Sequence, residues 1–418
     1  MNTLEKRKEI NRKLFVFYKM IAWDLLFYFA IVFLFLNNVK GFSASQIFFA
    51  DAFYPLFRFI LQVPLTILID KLGKRNSLII ANSFVSLFLF TLLILNNLST
   101  YILANFFCAI GYTIKVISEP NLLYDSLEDS NNKGISFSKI DGKGSSFYYY
   151  INAASIATSG FLFIINAYIP LIISLIITLL TIFISCLFKE IPSGETTSQV
   201  DHEPILIQTK IYIKDLMESF KHILKSDRLK SLIIFNSIFL GLICVMPTLT
   251  VSLFSYINMS SKNIGIVFAI LSLVSGFSSG IAYKIHLKFR NRSLSVLSIF
   301  FSLSILFTGI AVYIQLPYVF ALYFILVFLI IQNFVKGPFF SLFKQYLSNF
   351  STSNMRVKIF SANSSIQYIS QSILTFICSY LVAVFPAHIA HIFLGGVSTL
   401  VIIFILGYMK TRVGLPRE

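Results

Sequence analysis

Residues 66–78 read TILIDKLGKRNSL and join two long apolar runs, residues 45–69 and 76–95, through one short charged turn. A helix needs roughly 20 mainly apolar residues, at about 1.5 Å each, to cross the hydrocarbon core of a bilayer. Both runs reach that length. The quoted stretch therefore predicts two membrane-spanning helices joined by a basic loop.

The same alternation of apolar run and short polar break continues along the chain. Of its 418 residues, 56% are hydrophobic and only 12% are charged, which is too apolar for soluble domains. The 46 Phe residues suit an exterior that faces lipid. Runs bounded by charge, Pro, Gly or Asn predict twelve spans, at residues 14–36, 45–69, 76–95, 99–121, 145–166, 168–188, 229–252, 262–284, 293–314, 316–337, 357–383 and 387–409.

The charged, Cys and His residues argue against several classes of function. The net charge of +16 comes from Lys and Arg in short clusters between apolar runs, without a basic groove or stacking motif, so we do not expect nucleic-acid binding. The four Cys residues fall singly in apolar segments, without CxxC or His at metal-ligand spacing. HExxH and Gly-rich phosphate loops are absent from the sequence. We therefore expect no metal, no cofactor and no enzymatic activity.

The distribution of Lys and Arg predicts the orientation of the spans, because cytoplasmic loops hold an excess of these residues. With the N-terminus inside, and with residues near the inner ends of spans counted as cytoplasmic, only four of the 34 lie elsewhere. Arg58 and Lys115 lie within spans, while Lys40 and Lys262 face outward. We expect a multi-pass protein of the cell membrane with both termini in the cytoplasm.

A long polar segment divides the twelve spans into two sets of six. It covers residues 189–228, between an N-terminal bundle at 1–188 and a C-terminal bundle at 229–418. The two halves share a weak repeat. GKRNSL at 73–78, after span 2, is similar to KFRNRSL at 288–294, after span 8. Internal duplication of this kind is common in transporters.

The central loop contains a candidate amphipathic helix. At residues 211–227, Ile213, Leu216, Phe220 and Ile223 recur at helical spacing among Lys and Glu. This pattern indicates a helix at the inner membrane surface. A simple extension of span 7 is the alternative.

The loop after span 2 resembles the signature of the major facilitator superfamily, G-x-L-a-D-r-x-G-r-k-x-x-l. The matching positions are Leu68, Asp70, Lys71, Gly73, Lys74, Arg75 and Leu78. Thr66 stands where the pattern has its first Gly. The resemblance implies an all-α fold in which twelve transmembrane helices form two six-helix bundles with pseudo-two-fold symmetry. It also implies that the loop is a conformational latch, a role that falls on Asp70, Gly73, Lys74 and Arg75.

A second string points to one branch of that family. Residues 118–130, SEPNLLYDSLEDS, are similar to the end of helix 4 in drug-exporter-like members, where an LLYDSL-type string recurs. Span 5 departs from the branch, because it lacks the Gly-rich G-x-x-x-G-P motif of the proton antiporters. We expect a monomer that moves a drug-like or amphipathic small molecule, with H⁺ as coupling ion.

Ionisable groups inside spans are the candidates for coupling, because such groups are costly in lipid and mark function. Asp24 lies about ten residues into span 1, close to the midplane. Arg58 lies in span 2 at a depth at which it could pair with Asp24. Such a pair would suit a protonatable switch, since a buried carboxylate that loses its cation takes up a proton readily. A static pair that orients two helices is the alternative.

Two further spans place polar side chains on one face. In span 2, the residues Asp51, Tyr54, Arg58 and Gln62 are three or four apart, which predicts a stripe lining the cavity. Asp51 lies near the outer end of the span. The alternative to a functional role is that it is a solvated residue of the outer vestibule. In span 4, the spacing of Lys115 and Glu119 permits either an ion pair or a contact with substrate. Asp125, at the end of that span, is expected to be an interfacial acid.

The C-terminal half offers neutral and basic groups only. Span 11 has a polar face that is suited to substrate or to helix packing, formed by Ser364, Gln367, Tyr368 and Gln371. Lys336 near the inner end of span 10 is expected to snorkel to the interface. No Asp or Glu occurs between Asp227 and Glu418. Proton coupling by carboxylates must therefore use the first six spans, with candidates Asp24, Glu119 and Asp51.

These observations predict a secondary active transporter that exports an amphipathic molecule in exchange for protons. A substrate with an apolar body and a polar or cationic group suits the Phe- and Tyr-rich interior. An uptake symporter for a nutrient or organic anion, with Arg58 and Lys115 as the anion site, is the alternative. A membrane-embedded enzyme and a nontransporting sensor are remote alternatives.

Overall fold

The computed structural model describes residues 3–127, 133–191, 205–289, 292–315, 317–350 and 356–412. These residues form helices and no strand. In chain order the helices are α1 Thr3–Ala22, α2 Val32–Leu34, α3 Ala44–Asp51, α4 Phe53–Leu72, α5 Lys74–Ile94, α6 Leu98–Asp125, α7 Lys133–Ile165, α8 Ile169–Leu187, α9 Ile205–Lys225, α10 Asp227–Tyr256, α11 Ser261–Gly280, α12 Ala282–Phe289, α13 Ser293–Tyr313, α14 Tyr318–Phe350, α15 Arg356–Val384 and α16 Ala387–Arg412. The predicted all-α membrane fold is confirmed.

The first apolar run is interrupted, which corrects the prediction of a continuous span at 14–36. Eleven helices in the described residues are long and apolar enough to cross a membrane, and none of them covers this run. The helix α1 ends at Ala22, and regular helix resumes only at Val32, followed by a π-helical turn at Phe35–Val39. Phe27 in the break has a φ of 60°, which no α-helix tolerates.

The chain divides into two compact units. The first contains Met1–Gly41 and Phe53–Lys214, and the second contains Phe42–Ala52 and Asp215–Glu418. Span 2 is shared, because its outer part, α3, belongs with the second unit and its longer part, α4, belongs with the first. Bulky side chains on the outer faces of both units are exposed, as expected for surfaces that meet lipid tails.

The first unit is held together by close packing of α5 with α6 and α8, of α4 with α6, and of α1 with α7. One apolar cluster brings Phe15 and Tyr18 of α1 against Leu122 and Leu123 of α6 and Phe188 after α8. Buried polar side chains also cross between helices: Asn82 donates to the hydroxyls of Tyr18 and Ser185 at 3.0 and 2.9 Å. These contacts fix α1, α5 and α8 around the polar interior described below.

In the second unit a large apolar core is formed by α10, α13, α14, α15 and α16. The outer segment α3 packs against α15 through hydroxyl groups. Ser379 donates to the carbonyl of Ser45 at 2.8 Å, and Ser372 donates to the carbonyl of Ala52 at 2.8 Å. The ring of Phe49 meets that of Phe376 edge to face, at 5.6 Å between centroids.

The amphipathic helix predicted in the central loop is α9, and it is separate from span 7. Ser226 ends it and caps the next helix, because its hydroxyl accepts from the amide of Leu229 at 3.4 Å. Leu216, Phe220 and Ile223 pack on the core of the second unit. Ile213, predicted on the same face, is instead exposed.

Candidate functional site

The break in span 1 places Asp24 between helices of the first unit. The Asp24 carboxylate accepts the amide of Leu25 at 2.9 Å and the hydroxyl of Tyr112 at 2.6 Å. The carbonyl of Leu26, which no longer bonds within a helix, accepts the hydroxyl of Ser174. The Asp24 carboxylate and Ser174 of α8 therefore satisfy two backbone groups, the amide of Leu25 and the carbonyl of Leu26, that the break would otherwise leave without a partner in the membrane.

A small polar cavity lies beside the break. Its volume is about 10 Å³, and its polar lining comprises Asp24, Asn82, Tyr112, Lys115, Ser174, Thr178 and Thr181. A cavity of this size has room for about one water molecule. Span 1 is therefore broken at a buried polar pocket, an arrangement that transporters use at binding sites for substrates and ions.

Lys115 and Glu119 do not form the ion pair that their spacing permits, which corrects that prediction. The Glu119 carboxylate pairs with Lys19 of α1, at 3.1 Å. The Lys115 ammonium lies over the rings of Tyr18 and Tyr112, 5.9 and 5.5 Å from their centroids. In the described part of the chain Lys115 has no ion-pair partner, although its side chain is buried.

Lys19 is the centre of a buried charge cluster. It pairs with Glu119 of α6 and with Asp141 of α7, so one ammonium serves two carboxylates from different helices. The Lys19 and Glu119 side chains are each only 10% exposed, and that of Asp141 is 27% exposed. The ammonium also lies 4.4 Å from the ring centroid of Trp23. We call Lys19, Glu119 and Asp141 the charge cluster.

Gly144 allows α7 to approach α1 at this cluster. A Cβ atom added there would lie 2.9 Å from the Cβ of Lys19, so only glycine permits this spacing. Asp141 lies three residues earlier on the same helix and therefore faces the same way. Trp23, the one Trp of the chain, stacks on Tyr148 with centroids 5.8 Å apart. Close packing thus brings a carboxylate, an ammonium and an aromatic pair together.

Three members of this site were missing from the sequence-based candidates: Lys19, Asp141 and Trp23. Lys19 lies near the inner end of the span predicted at 14–36 and was counted with the cytoplasmic residues, and the span predicted at 145–166 left Asp141 in a loop. In the structure α7 begins at Lys133, so Asp141 lies two turns inside a helix. The available signal was the helical spacing of Asp141, Ser145 and Tyr148, which continues span 5 toward its N-terminus.

The predicted stripe of span 2 is divided between α3 and α4. Asp51 ends α3, and a turn at Ala52 separates it from Tyr54, Arg58 and Gln62 of α4. Arg58 donates to the hydroxyl of Tyr54 at 3.4 Å and lies over its ring. Gln62 is buried, and its carbonyl accepts the hydroxyl of Thr66.

Two tyrosines connect Arg58 with Asp24. The ring of Tyr54 meets that of Tyr112 edge to face, at 6.5 Å between centroids. Tyr54 accepts from Arg58, and Tyr112 donates to Asp24. The two charges predicted to pair are thus joined through aromatic neighbours, and a direct ion pair stays a prediction.

The polar face predicted on span 11 lies on α15 of the second unit. Gln367, Tyr368 and Gln371 are all half-buried there. The backbone of Gln371 is close to Gly241 of α10, so part of this face serves helix packing. Contact with substrate stays a prediction for the three side chains.

The loop after span 2 is tied down within the first unit. Gly73 has a φ of 81°, a conformation that favours glycine. The amides of Lys74 and Arg75 donate to the two carboxylate oxygens of Glu190 at 2.9 Å each. Glu190 therefore caps the N-terminus of α5, where the helix dipole favours an anion. This acid, at the end of span 6, was not among the predicted residues.

The basic side chains of this loop have partners as well. The Lys74 ammonium pairs with Asp125 at 2.6 Å, and Arg75 donates to the carbonyl of Cys186 at 2.8 Å. Asp125, expected to be an interfacial acid, therefore pairs with a basic side chain of this loop. The side chain of Asp70 is outside the described set. The role of Asp70, Gly73, Lys74 and Arg75 as a latch stays a prediction.

Replacing Glu190 by Gln is expected to weaken the cap on α5. The amide retains one acceptor oxygen but loses the charge and the second acceptor, which costs about 1 kcal/mol. The expected result is a lower melting temperature in detergent, with binding of ligands retained. Glu218→Gln, at an exposed site on α9, is the matched control. A melting temperature unchanged from that of the control would contradict the capping role.

The described residues contain no group of three or more His, Cys, Asp or Glu side chains that could hold a metal ion. The charged groups of the first unit are instead arranged as partners for one another. Charged side chains at membrane depth are the groups that transporters use to carry protons and to attract charged solutes.

Comparisons with known proteins place this geometry in a family. The family model described as "Major Facilitator Superfamily" matches residues 14–315. The nucleoside transporter NupG is similar in structure, with a TM-score of 0.74 and 14% identity over 98% of this chain and 100% of that one. A POT family transporter in complex with 5-aminolevulinic acid is also similar in structure, with a TM-score of 0.68 and 14% identity over 98% of this chain and 95% of that one.

A third similar structure is the xylose transporter XylE from E. coli in an inward-open conformation, with a TM-score of 0.62 and 14% identity over 97% and 95% of the two chains. Identities this low show a shared fold alone. A search of curated proteins by sequence finds no match. The family match covers more than half of the sequence, and the chain is therefore a transporter of the major facilitator superfamily.

Proposed function

We propose that this transporter exports a drug-like or amphipathic small molecule in exchange for protons, by alternating access. The observation that carries the proton coupling is the charge cluster, in which Glu119 and Asp141 share Lys19. When both carboxylates are ionised, one ammonium faces two negative charges. A proton bound by either carboxylate would leave a single full ion pair, and this exchange of partners is the step that we propose to couple to transport.

Protonation would change how the helices of the first unit are held. A protonated Glu119 or Asp141 no longer attracts Lys19 as a full charge, so the tie from α1 to α6 or to α7 weakens. The other carboxylate then becomes the stronger partner. Proton binding thereby biases the packing of α1, which leads directly into the break at Asp24.

Asp24 is the second proton site in this proposal. Its carboxylate is held by Tyr112 and by the amide of Leu25, next to the polar cavity. The break that it stabilises lies in the middle of span 1, where solute and ion sites occur in transporters with broken helices. Tyr112, Tyr54 and the buried Lys115 supply aromatic and cationic surface for a solute.

The direction of transport rests on the helix 4 string at 118–130, which is similar to that of drug exporters. Uptake of an organic anion is a second candidate. The observation that favours it is Lys115, a buried cation between two tyrosine rings that pairs with none of the described carboxylates. A monomer with cytoplasmic termini is part of the same proposal.

The experiment uses purified protein in liposomes with an imposed pH gradient and two dyes, rhodamine 6G as a cationic amphiphile and fluorescein as an anionic one. We expect dye to accumulate only when the gradient is present. Movement of dye into the acidic compartment, against the protons that leave it, supports export by exchange, and movement of dye out of the acidic compartment together with protons supports uptake by symport. Dye movement at the same rate with the pH gradient imposed in either direction would contradict proton coupling.

Glu119→Gln and Asp141→Asn are each expected to reduce gradient-driven dye movement by about tenfold, the usual scale of coupling between two sites. Glu9→Gln is the matched control, because Glu9 lies on α1 but pairs with Lys13 at the surface. Trp23 fluorescence reports directly on the cluster, since its ring contacts Lys19. Wild-type gradient dependence in both variants would overturn the role of the cluster.

A further inference from the structure

The helix α9, Ile205–Lys225, is attached to the second unit along one side. Leu216, Phe220 and Ile223 on that side pack on the apolar core of the unit. Ser226 alone separates α9 from α10, which is long and apolar enough to cross the membrane. The end of α9 therefore lies at the membrane surface, where the chain enters span 7.

A neighbouring side of α9 has apolar side chains that the protein leaves exposed. Ile213, Met217 and Leu224 are 44%, 56% and 64% exposed. Because each residue of a helix advances by about 100°, these three lie within about 40° of one another around the axis. We call them the apolar strip. The helix α9 is not among the candidate membrane spans, so passage through the bilayer does not account for the strip.

Lysines lie beside the apolar strip, on the side away from the protein core. Four of them are exposed and fall within about 60° of one another around the axis: Lys210, Lys214, Lys221 and Lys225. We call these four the lysine strip. Glu218 is exposed at its far edge, so the described side chains of this surface bring four positive charges against one negative charge. The order around α9 is therefore protein core, exposed apolar side chains and lysines.

This order matches the layers of a bilayer surface. Helices that lie in the plane of a membrane place apolar side chains at the boundary between headgroups and acyl chains, about 5–10 Å deep. Lysine side chains beside them reach the headgroups with their ammonium ends while their apolar stems stay at that boundary. Because the attraction depends on the net charge of the headgroup, a lysine strip favours anionic lipids over zwitterionic ones.

The short helix α12, Ala282–Phe289, has a similar composition on the same side of the membrane. The spans α10 and α11 follow one another in the chain, so α11 ends on the side where α10 begins. Directly after α11, Ile285 of α12 packs on the core of the second unit. Leu287, Lys284 and Lys288 are exposed. The distribution of Lys and Arg predicts that this side is cytoplasmic.

We propose that α9 docks on the surface of a bilayer that contains anionic lipids. The apolar strip enters the boundary between headgroups and acyl chains, and the lysine strip binds the headgroup phosphates. Because one residue joins α9 to α10, docking also holds the start of span 7 at a fixed depth. The inference adds a partner, the anionic lipid surface, to the proposed transport function and does not depend on which molecule is carried.

The test detects contact between α9 and lipid by fluorescence quenching in reconstituted full-length protein. Met217→Trp places a reporter in the apolar strip, and wild-type protein gives the baseline from Trp23, the one Trp of the chain. The bilayers mix phosphatidylcholine with phosphatidylglycerol, and the acyl chains of one of the two lipids are brominated to quench Trp on contact. Glu218→Trp is the matched control, because position 218 lies about 100° around the helix, beyond the lysine strip.

We expect lipid to quench the Trp introduced by Met217→Trp and to leave the one introduced by Glu218→Trp at the baseline. Phosphatidylglycerol should occupy the site at least about fivefold more than its share of the bilayer, the effect of one lysine near an anionic surface. Adding Lys214→Gln, Lys221→Gln and Lys225→Gln should remove this preference. Quenching by phosphatidylcholine should remain in that variant, because the apolar strip is unchanged.

A matched variant removes three cations from α1 instead, through Lys6→Gln, Arg7→Gln and Lys13→Gln at exposed positions. It is expected to keep the preference at position 217. Absence of quenching in Met217→Trp would overturn the inference, by showing that another part of a protein covers the strip. Equal quenching by the two lipids, or a preference that survives the loss of the α9 lysines, would overturn it as well. No flux is measured, so failure of gradient-driven transport with intact quenching would contradict the transport proposal alone.

Discussion

Lys19→Met is expected to destabilise the protein by about 3–5 kcal/mol, because it leaves Glu119 and Asp141 buried together without their shared cation. The two like charges would repel each other, and Glu119, whose side chain is only 10% exposed, has little access to water. The measurement is thermal unfolding in detergent, followed by the loss of monodisperse protein on size-exclusion chromatography. A melting temperature lowered by several degrees or more is the expected result.

Rescue distinguishes lost charge pairing from lost packing at Lys19. The triple variant Lys19→Met, Glu119→Gln, Asp141→Asn has no charge in the cluster, so most of the stability should return. Lys13→Met is the control for removing a lysine from α1, because Lys13 is a surface residue paired with Glu9. A triple variant as unstable as Lys19→Met alone would show that the hydrocarbon stem of Lys19, rather than its charge, holds the helices.

The break in span 1 has a physical cause that the sequence-based prediction of a continuous helix could not include. The residues around Asp24 are as apolar as those of a regular span, so hydropathy predicts a continuous helix. The break is stable because Tyr112 and Ser174, far away in the chain, satisfy Asp24 and the carbonyl of Leu26. Helical periodicity describes one helix at a time and gives no information about partners on other helices.

The loop after span 2 shows the opposite case. Gly73 matches the family signature, and its positive φ shows why glycine suits this turn, a requirement that is local to the backbone. The acid that caps the following helix, Glu190, lies 116 residues beyond Lys74 and could not be found from spacing. The pairing of Glu119 with Lys19 rather than Lys115 has the same origin. Sequence located the charged residues, and packing between helices decided their partners.

Asp24→Asn is expected to reduce gradient-driven transport by about tenfold or more while leaving the fold intact. The asparagine side chain has the same shape, and its carbonyl oxygen still accepts from Tyr112 and from the amide of Leu25. The break in span 1 therefore keeps its hydrogen bonds but loses the group that takes up a proton. The measurement is dye movement in liposomes with and without a pH gradient, beside the melting temperature of the same preparation.

The matched variant is Tyr112→Phe, which removes the hydroxyl donor but keeps the carboxylate. Tyr112→Phe is therefore expected to keep gradient-driven transport, because the carboxylate that takes up a proton is still present, and to lower the melting temperature through the lost hydrogen bond. Full gradient dependence in Asp24→Asn would make Asp24 a structural cap of the broken helix. Coupling would then rest on the charge cluster alone.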